Sequence, residues 1–227
     1  MSDFTLQNND YLPTVSELAL LAAYAPTKKK DWGDVRFERF KQNIRAKLLL
    51  HQFDRCAYCR RKLEGAGKYE PLDHIVPKSL RPKWLRDCKN LILTCNSCNN
   101  LKKQELTLSA AYTASANLPN VAAAYTIFNP YYECWTQHLA FEDDIFITAV
   151  PNSKGKETIR VCKLFRFNVI VNRALELKIG QKEPARRVIN RLNNLDKTSA
   201  EYAQIVDEFS RAINYFIDRM NDNPAFN

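Results

Sequence analysis

Glycine is scarce in this chain, with five residues in 227, which excludes low-complexity and flexible repeat architectures. Long apolar runs are also missing. The longest, Leu18 to Ala25, falls well short of the roughly 20 residues that cross a bilayer. The first ten residues are polar and acidic, with no basic segment leading into an apolar core, so no secretory signal is expected and the chain reads as cytoplasmic. No internal repeat is found. Acidic residues are sparse in one region: from Lys28 to Lys103 there are 20 Lys and Arg against 8 Asp and Glu, while the rest of the chain has 14 against 17. The formal net charge of +9 therefore arises in one third of the chain. That pattern fits either a polyanion partner met by this segment or a solvated basic surface.

The remaining composition is that of a soluble globular protein, 45% hydrophobic and 26% charged. Ser16 to Tyr24 reads as a short helix, with Ser16 as a candidate cap and Pro26 beyond its end. Lys28 to Asp34 reads as a loop. Arg36 to Phe53 reads as an amphipathic helix, with Phe37, Phe40, Ile44, Lys47 (by its stem), Leu48 and His51 on related faces. Ser109 to Asn129 is ambiguous, and Asn129-Pro130 marks a turn. Asp144 to Val150 and Glu157 to Val161 read as strands joined by a hairpin loop over 151–155. Phe165 to Ile179, Pro184 to Leu195 and Ser199 to Met220 read as scaffold helices. The expected architecture is α+β, a mainly helical scaffold around a central compact unit: an N-terminal helical region (1–55), the central unit (56–108), and a C-terminal hairpin and helical region (109–227).

Four of the seven cysteines form two C-x-x-C pairs, Cys56/Cys59 and Cys95/Cys98. Each such turn points two sulfurs the same way, and two turns close a tetrahedral four-cysteine site for structural Zn2+. Disulfides and a redox role compete with this reading, but nothing suggests an oxidising compartment, and two pairs bracketing one segment favour a metal. A closed site of four thiolates leaves no open position, so this zinc organises the fold and does no catalysis. Cys88, Cys134 and Cys162 read as packed or idle thiols.

Between the pairs stand Leu72-Asp73-His74-Ile75-Val76-Pro77-Lys78 and then Lys89-Asn90-Leu91-Ile92-Leu93-Thr94, running into Cys95-Asn96-Ser97-Cys98-Asn99-Asn100-Leu101-Lys102-Lys103. Over about Cys56 to Lys103 the chain resembles the HNH nuclease superfamily, the ββα-metal fold. The resemblance implies roles for four residues. His74 is the general base, Asp73 a metal-binding carboxylate, Asn90 the brace of the loop between the strands, and Asn99 the metal ligand on the helix. Asn96 and Asn100 are near-duplicates of Asn99. The residue chemistry agrees: Asp and Asn oxygens suit Mg2+ or Mn2+, and a neutral imidazole accepts a proton near pH 7. Lys102, Lys78 and Arg60 are candidate phosphate contacts. His51 is read as a helix-face residue and His138 as structural.

The flanks, with a helix leading into C-A-Y-C and a tail with N-P-Y and T-I-R-V, resemble the HNH component of Septu-type anti-phage defence systems. That likeness implies an ATPase partner and DNA or RNA, tRNA included, as substrate. The alternative is a zinc-stabilised nucleic-acid-binding module with a silent active site, and the complete Asp73, His74, Asn90, Asn99 set argues against it. A third reading, an interaction protein working through its C-terminal helices, rests on the apolar stripe of the last one.

Overall fold

The structure is a computed structural model. It describes residues 4–6, 11, 13–63, 70–142 and 146–166, together with 169, 170, 173, 194, 196, 198–200, 202, 203, 206 and 207. The chain divides into two compact units, Met1–Ala140 with Ile147–Leu164, and Phe141–Phe146 with Phe165–Asn227. In the second, the Arg173 guanidinium stands 4.4 Å from the Phe141 ring centre. The helices expected over 165–179, 184–195 and 199–220 lie largely outside the described residues. Among the described residues, no helix is long and apolar enough to cross a membrane.

Helix α1 (Val15–Ala23) opens on a reciprocal cap. The Thr14 hydroxyl accepts from Glu17 N, and Glu17 accepts from Thr14 N at 2.7 Å. Thr14 therefore does the capping assigned to Ser16, because Glu17 sits three residues beyond it, where the reciprocal bond closes. Helix α2 (Glu38–His51) buries Phe40, Lys41, Ile44 and Leu48, one stripe at helical spacing.

At the centre, β1 (Leu72–His74) pairs antiparallel with β2 (Leu91–Leu93), setting Asp73 opposite Ile92 and His74 opposite Leu91. All six residues are buried. The outer edge of β2 is closed by a side chain acting as backbone. Gln52, fully buried, accepts from Leu93 N at 2.9 Å and donates to Leu93 O at 2.8 Å. Ala57 N donates to the same carbonyl. No ladder group of Leu93 is left unsatisfied, as a buried edge requires. Helix α3 (Asn96–Lys102) follows β2 through Thr94 and Cys95, completing a ββα element.

Downstream, β3 (Leu139–Glu142) and β4 (Phe146–Ala149) pair as a second two-stranded sheet. The strand expected over Glu157–Val161 is instead part of helix α4 (Gly155–Cys162). The β-branched run Thr158-Ile159-Arg160-Val161 suggested a strand, but its buried positions are 155, 158, 161 and 162, a helical spacing. Gly155 opens α4 against His138 O and Ala149, where a Cβ would collide with that carbonyl. The Thr158 hydroxyl accepts from Phe128 N at 2.9 Å, tying α4 to the chain before it. Lys163 ends the helix in the left-handed region at φ 50°.

Candidate active site and metal centre

The two C-x-x-C turns converge. All four sulfurs of Cys56, Cys59, Cys95 and Cys98 lie within 4.8 Å of one another, each residue is buried, and none is disulfide-bonded. Cys59 Sγ and Cys95 Sγ are 3.8 Å apart. Zn–S bonds of about 2.3 Å set the edge of a tetrahedron at about 3.8 Å, so the donor set fits a zinc-sized ion. The protonation chemistry points the same way. Burial pushes the Cys56 thiol well up, hydrogen bonds with Cys56 and its neighbours push Cys59 up, and bonds from the other three pull Cys95 far down. Four thiolates this close would repel one another, and a divalent cation would hold them together.

Arg60 closes the first turn at φ 58° and is itself buried. Its guanidinium lies 4.1 Å from the Phe4 ring centre and donates to Gln52 O at 3.2 Å. It faces the interior and not the protein surface.

His74 ends β1 and is 4% exposed. Its Nε2 is 2.9 Å from Leu85 O. A carbonyl only accepts, so Nε2 carries the proton and Nδ1 is the basic nitrogen. The Trp32 indole meets the imidazole edge-on, with centres 4.6 Å apart at 78°. Burial pushes the imidazole down to about 3, with Lys78 and Lys102 adding to the effect, and the Leu85 bond opposing it. The ring is neutral at physiological pH. Asn90, fully buried, fixes the loop that leaves β1: its Oδ1 accepts from Val76 N at 2.8 Å, and its Nδ2 donates to Val76 O at 3.1 Å and Trp84 O at 3.2 Å. Ile75 N donates to the Asn90 carbonyl. One asparagine thus ties together the two ends of the loop that follows His74.

Asp73 is held from two directions. Tyr58, in the first C-x-x-C turn, donates its hydroxyl to Asp73 Oδ2 at 3.2 Å. Lys102, at the end of α3 and with no exposed surface, sets its Nζ 3.2 Å from Asp73 Oδ2 and donates to His74 O at 2.7 Å. Lys102 is therefore an interior residue, four positions past buried Cys98 on the same helical face. Asp73 Oδ1 keeps only a 3.5 Å contact with Lys102. Of the three neighbouring asparagines, Asn96 binds Glu70 through its backbone and side-chain nitrogens. Asn99 and Asn100 line a cleft together with Asp73 and His74.

That cleft has a volume of 1290 Å³ and is walled on the other side by Lys29, Lys30, Trp32, Lys41 and Arg45. Lys78 is on it, half-buried; Lys102 and Arg60 are not among its lining residues. An oxygen donor set of Asp73 and Asn99 beside a neutral imidazole, open to a basic cleft, suits a hard divalent cation. Sequence reasoning missed Trp32, Tyr58 and Arg86. For Tyr58 a signal existed in its place between two ligand cysteines. For Trp32 and Arg86, whose partners are far off in the chain, none did. His138 packs elsewhere, 3.0 Å from Glu133 and accepting at Nδ1 from Lys154 N.

Residues 56–105 match the HNH endonuclease family profile. The chain is 32% identical over 62 residues to the Septu protein PtuB of Bacillus thuringiensis, a stretch covering 27% of this chain and 24% of PtuB. The match thus spans about a quarter of that curated relative.

Proposed function

We propose that this chain, which resembles the HNH endonuclease family over residues 56–105, is a metal-dependent endonuclease that hydrolyses phosphodiester bonds of DNA or RNA. The observation that carries the reading is the protonation geometry of His74. Its Nε2–H is committed to Leu85 O, its ring is neutral, and its cleft also holds Asp73 and Asn99. Nδ1 takes a proton from water as the water oxygen attacks phosphorus, and the P–O3′ bond breaks, with O3′ taking a proton from a second water, to leave a 5′-phosphate and a 3′-hydroxyl. Asp73 and Asn99 would hold Mg2+ or Mn2+, which when bound stabilises charge on the phosphate oxygens. Lys78 is placed to meet a phosphate from the cleft wall. Asn90 holds the loop, and through it the position of His74.

Likeness to a Septu protein supports a further step: an effector nuclease of an anti-phage defence complex, working beside a PtuA-like ATPase. A second reading has one observation in its favour. Asp73 is already ion-paired with Lys102, which suits a zinc-stabilised nucleic-acid-binding module with a silent site.

Purified protein should be assayed on plasmid DNA and total RNA in parallel, with Mg2+, with Mn2+ and with EDTA, alongside His74→Ala. Metal-dependent cutting lost in the variant supports the nuclease and names its substrate. Binding without cutting, even with a co-purified ATPase, supports the silent module.

A further inference from the structure

The two sides of the cleft come from different parts of the chain. Asp73, His74 and Asn99 belong to the HNH segment, whereas Lys29, Lys30, Trp32, Lys41 and Arg45 all precede it. We infer that the turn Lys29–Gly33, with the start of α2, is a phosphate-binding subsite that seats the nucleic-acid backbone beside the scissile bond and reads no base. The inference rests on the nuclease reading above.

The subsite is built into the fold. Asp31 caps its own turn, accepting from Thr27 N and Lys28 N, each at 2.9 Å. Arg86, nearly buried in the connection between β1 and β2, donates to Tyr24 O at 2.6 Å and to Asp31 O at 2.7 Å. Its guanidinium also lies 3.3 Å from the Phe37 ring centre. The HNH segment therefore holds the basic turn from within, at Asp31, and the chain leading into it, at Tyr24. This is more than an exposed loop carries by chance.

Charge then says what the subsite takes. Six cationic side chains line the cleft, Lys29, Lys30, Lys41, Arg45, Lys78 and Lys103, against two carboxylates, Glu38 and Asp73. Both carboxylates are engaged, Glu38 by Lys41 and Asp73 by Lys102. Among the described residues, Lys29, Lys30, Lys78 and Lys103 have no ion-pair partner. Lys78 is held below its ordinary range by burial; Asp73 opposes this, and Lys29 and Lys41 add to it by repulsion. An anion between these groups relieves that repulsion. The indole offers little to a base. Its ring has Lys41 Nζ at 5.3 Å and Lys78 Nζ at 5.8 Å, and meets the His74 imidazole in a T-shaped contact. Stacking platforms for bases need a free aromatic face. This arrangement instead keeps ammonium groups near the site, where they meet phosphate and carry no sequence information.

The test is binding in a His74→Ala background, where no cutting intervenes. Fluorescein-labelled 20-nucleotide DNA and RNA homopolymers are titrated across a salt series. Lys29→Gln/Lys30→Gln, both exposed positions, should weaken binding about tenfold near 100 mM salt and flatten the log–log salt slope by about 1.4, the single-strand value for two charges. The loss should be the same for each homopolymer. A charge-matched pair away from the cleft, Lys89→Gln/Lys156→Gln, should change much less. Equal losses for the two pairs, or a loss confined to one base, overturns the subsite. If the His74→Ala background binds, the chain with His74 intact cuts, and the cleft pair loses nothing, the subsite alone falls. If the His74→Ala background binds no nucleic acid at all, the subsite falls together with the function it rests on.

Discussion

Lys102 Nζ lies 3.2 Å from Asp73 Oδ2, with side-chain exposures of 0% and 8%. The same ammonium donates to the carbonyl of the next residue, His74. One buried cation thus fastens the end of α3 to the end of β1, at the two residues proposed for catalysis. Breaking a buried pair from one side leaves an uncompensated charge, at a cost of roughly 3–5 kcal/mol. Lys102→Met should lose stability of that order in urea denaturation. Lys102→Met/Asp73→Asn should recover most of it, because no carboxylate is then left stranded. A single variant as stable as the parent would show that the pair carries no such charge.

His74 gives a pH dependence with a definite sign. Its folded value, about 3, lies below the ordinary 6.5, and the first cause is burial. Below pH 6.5 the unfolded chain takes up a proton that the native ring refuses. Stability from this group is therefore full above pH 6.5 and is lost as pH falls toward 3, at a rate approaching about 1.4 kcal/mol per pH unit. His138 is lowered too, with the same sign, so the comparison must isolate His74. Between pH 5 and 6.5, His74→Ala should show a flatter stability slope than the parent, whatever its absolute stability. If the two slopes coincide, His74 is not held neutral. Cleavage, once measured, should show no loss of its base as pH falls through 6.5, where an ordinary imidazole takes up a proton.

The four-cysteine centre predicts one zinc per chain by elemental analysis. Cys95→Ser should lose that ion and expose the segment around β1, β2 and α3 to protease, since binding free energy here is folding free energy. Cys88→Ser should keep the ion, because Cys88 lies outside the cluster of four sulfurs. A zinc-free Cys95→Ser protein with the parent's melting curve and protease pattern would remove the structural role.

What was legible in advance follows from what local spacing encodes. A metal demands particular donors at particular intervals, so the two C-x-x-C pairs and the Asp-His dipeptide stood out. Asn90 was legible only through family likeness, since its bonds to Val76 and Trp84 depend on how a loop folds back. The strand expected at Glu157–Val161 failed because β-branched residues outweighed a 3–4 residue burial spacing that begins at Gly155. Lys102 reads from sequence as a candidate phosphate contact, though its i+4 relation to Cys98 sets it on the inner face of α3. Trp32 and Arg86 were out of reach. Nothing within a turn's length of either says that residue 32 meets residue 74, or that residue 86 reaches the carbonyls of 24 and 31.

Arg86 yields the last prediction, because it links the HNH segment to a part of the chain outside the family match. Its two guanidinium bonds end on backbone carbonyls, Tyr24 O and Asp31 O, and a third contact reaches Asp34 at 3.8 Å. Lysine carries its donors on one nitrogen and has no planar fork, so it cannot reproduce two bonds that leave from separate guanidinium nitrogens. Arg86→Lys keeps the charge and most of the apolar stem. It should therefore leave zinc content unchanged and cost about 1–3 kcal/mol in stability, the range for a buried acceptor left unsatisfied. Its main effect should be on the turn. Hydrogen exchange at residues 27–34 should quicken, and nucleic-acid affinity should fall toward that of Lys29→Gln/Lys30→Gln. Exchange that quickens with no change in affinity would mean that the turn is held for stability alone. Unchanged exchange would mean that the grip on the turn comes from Asp31's own cap and not from Arg86.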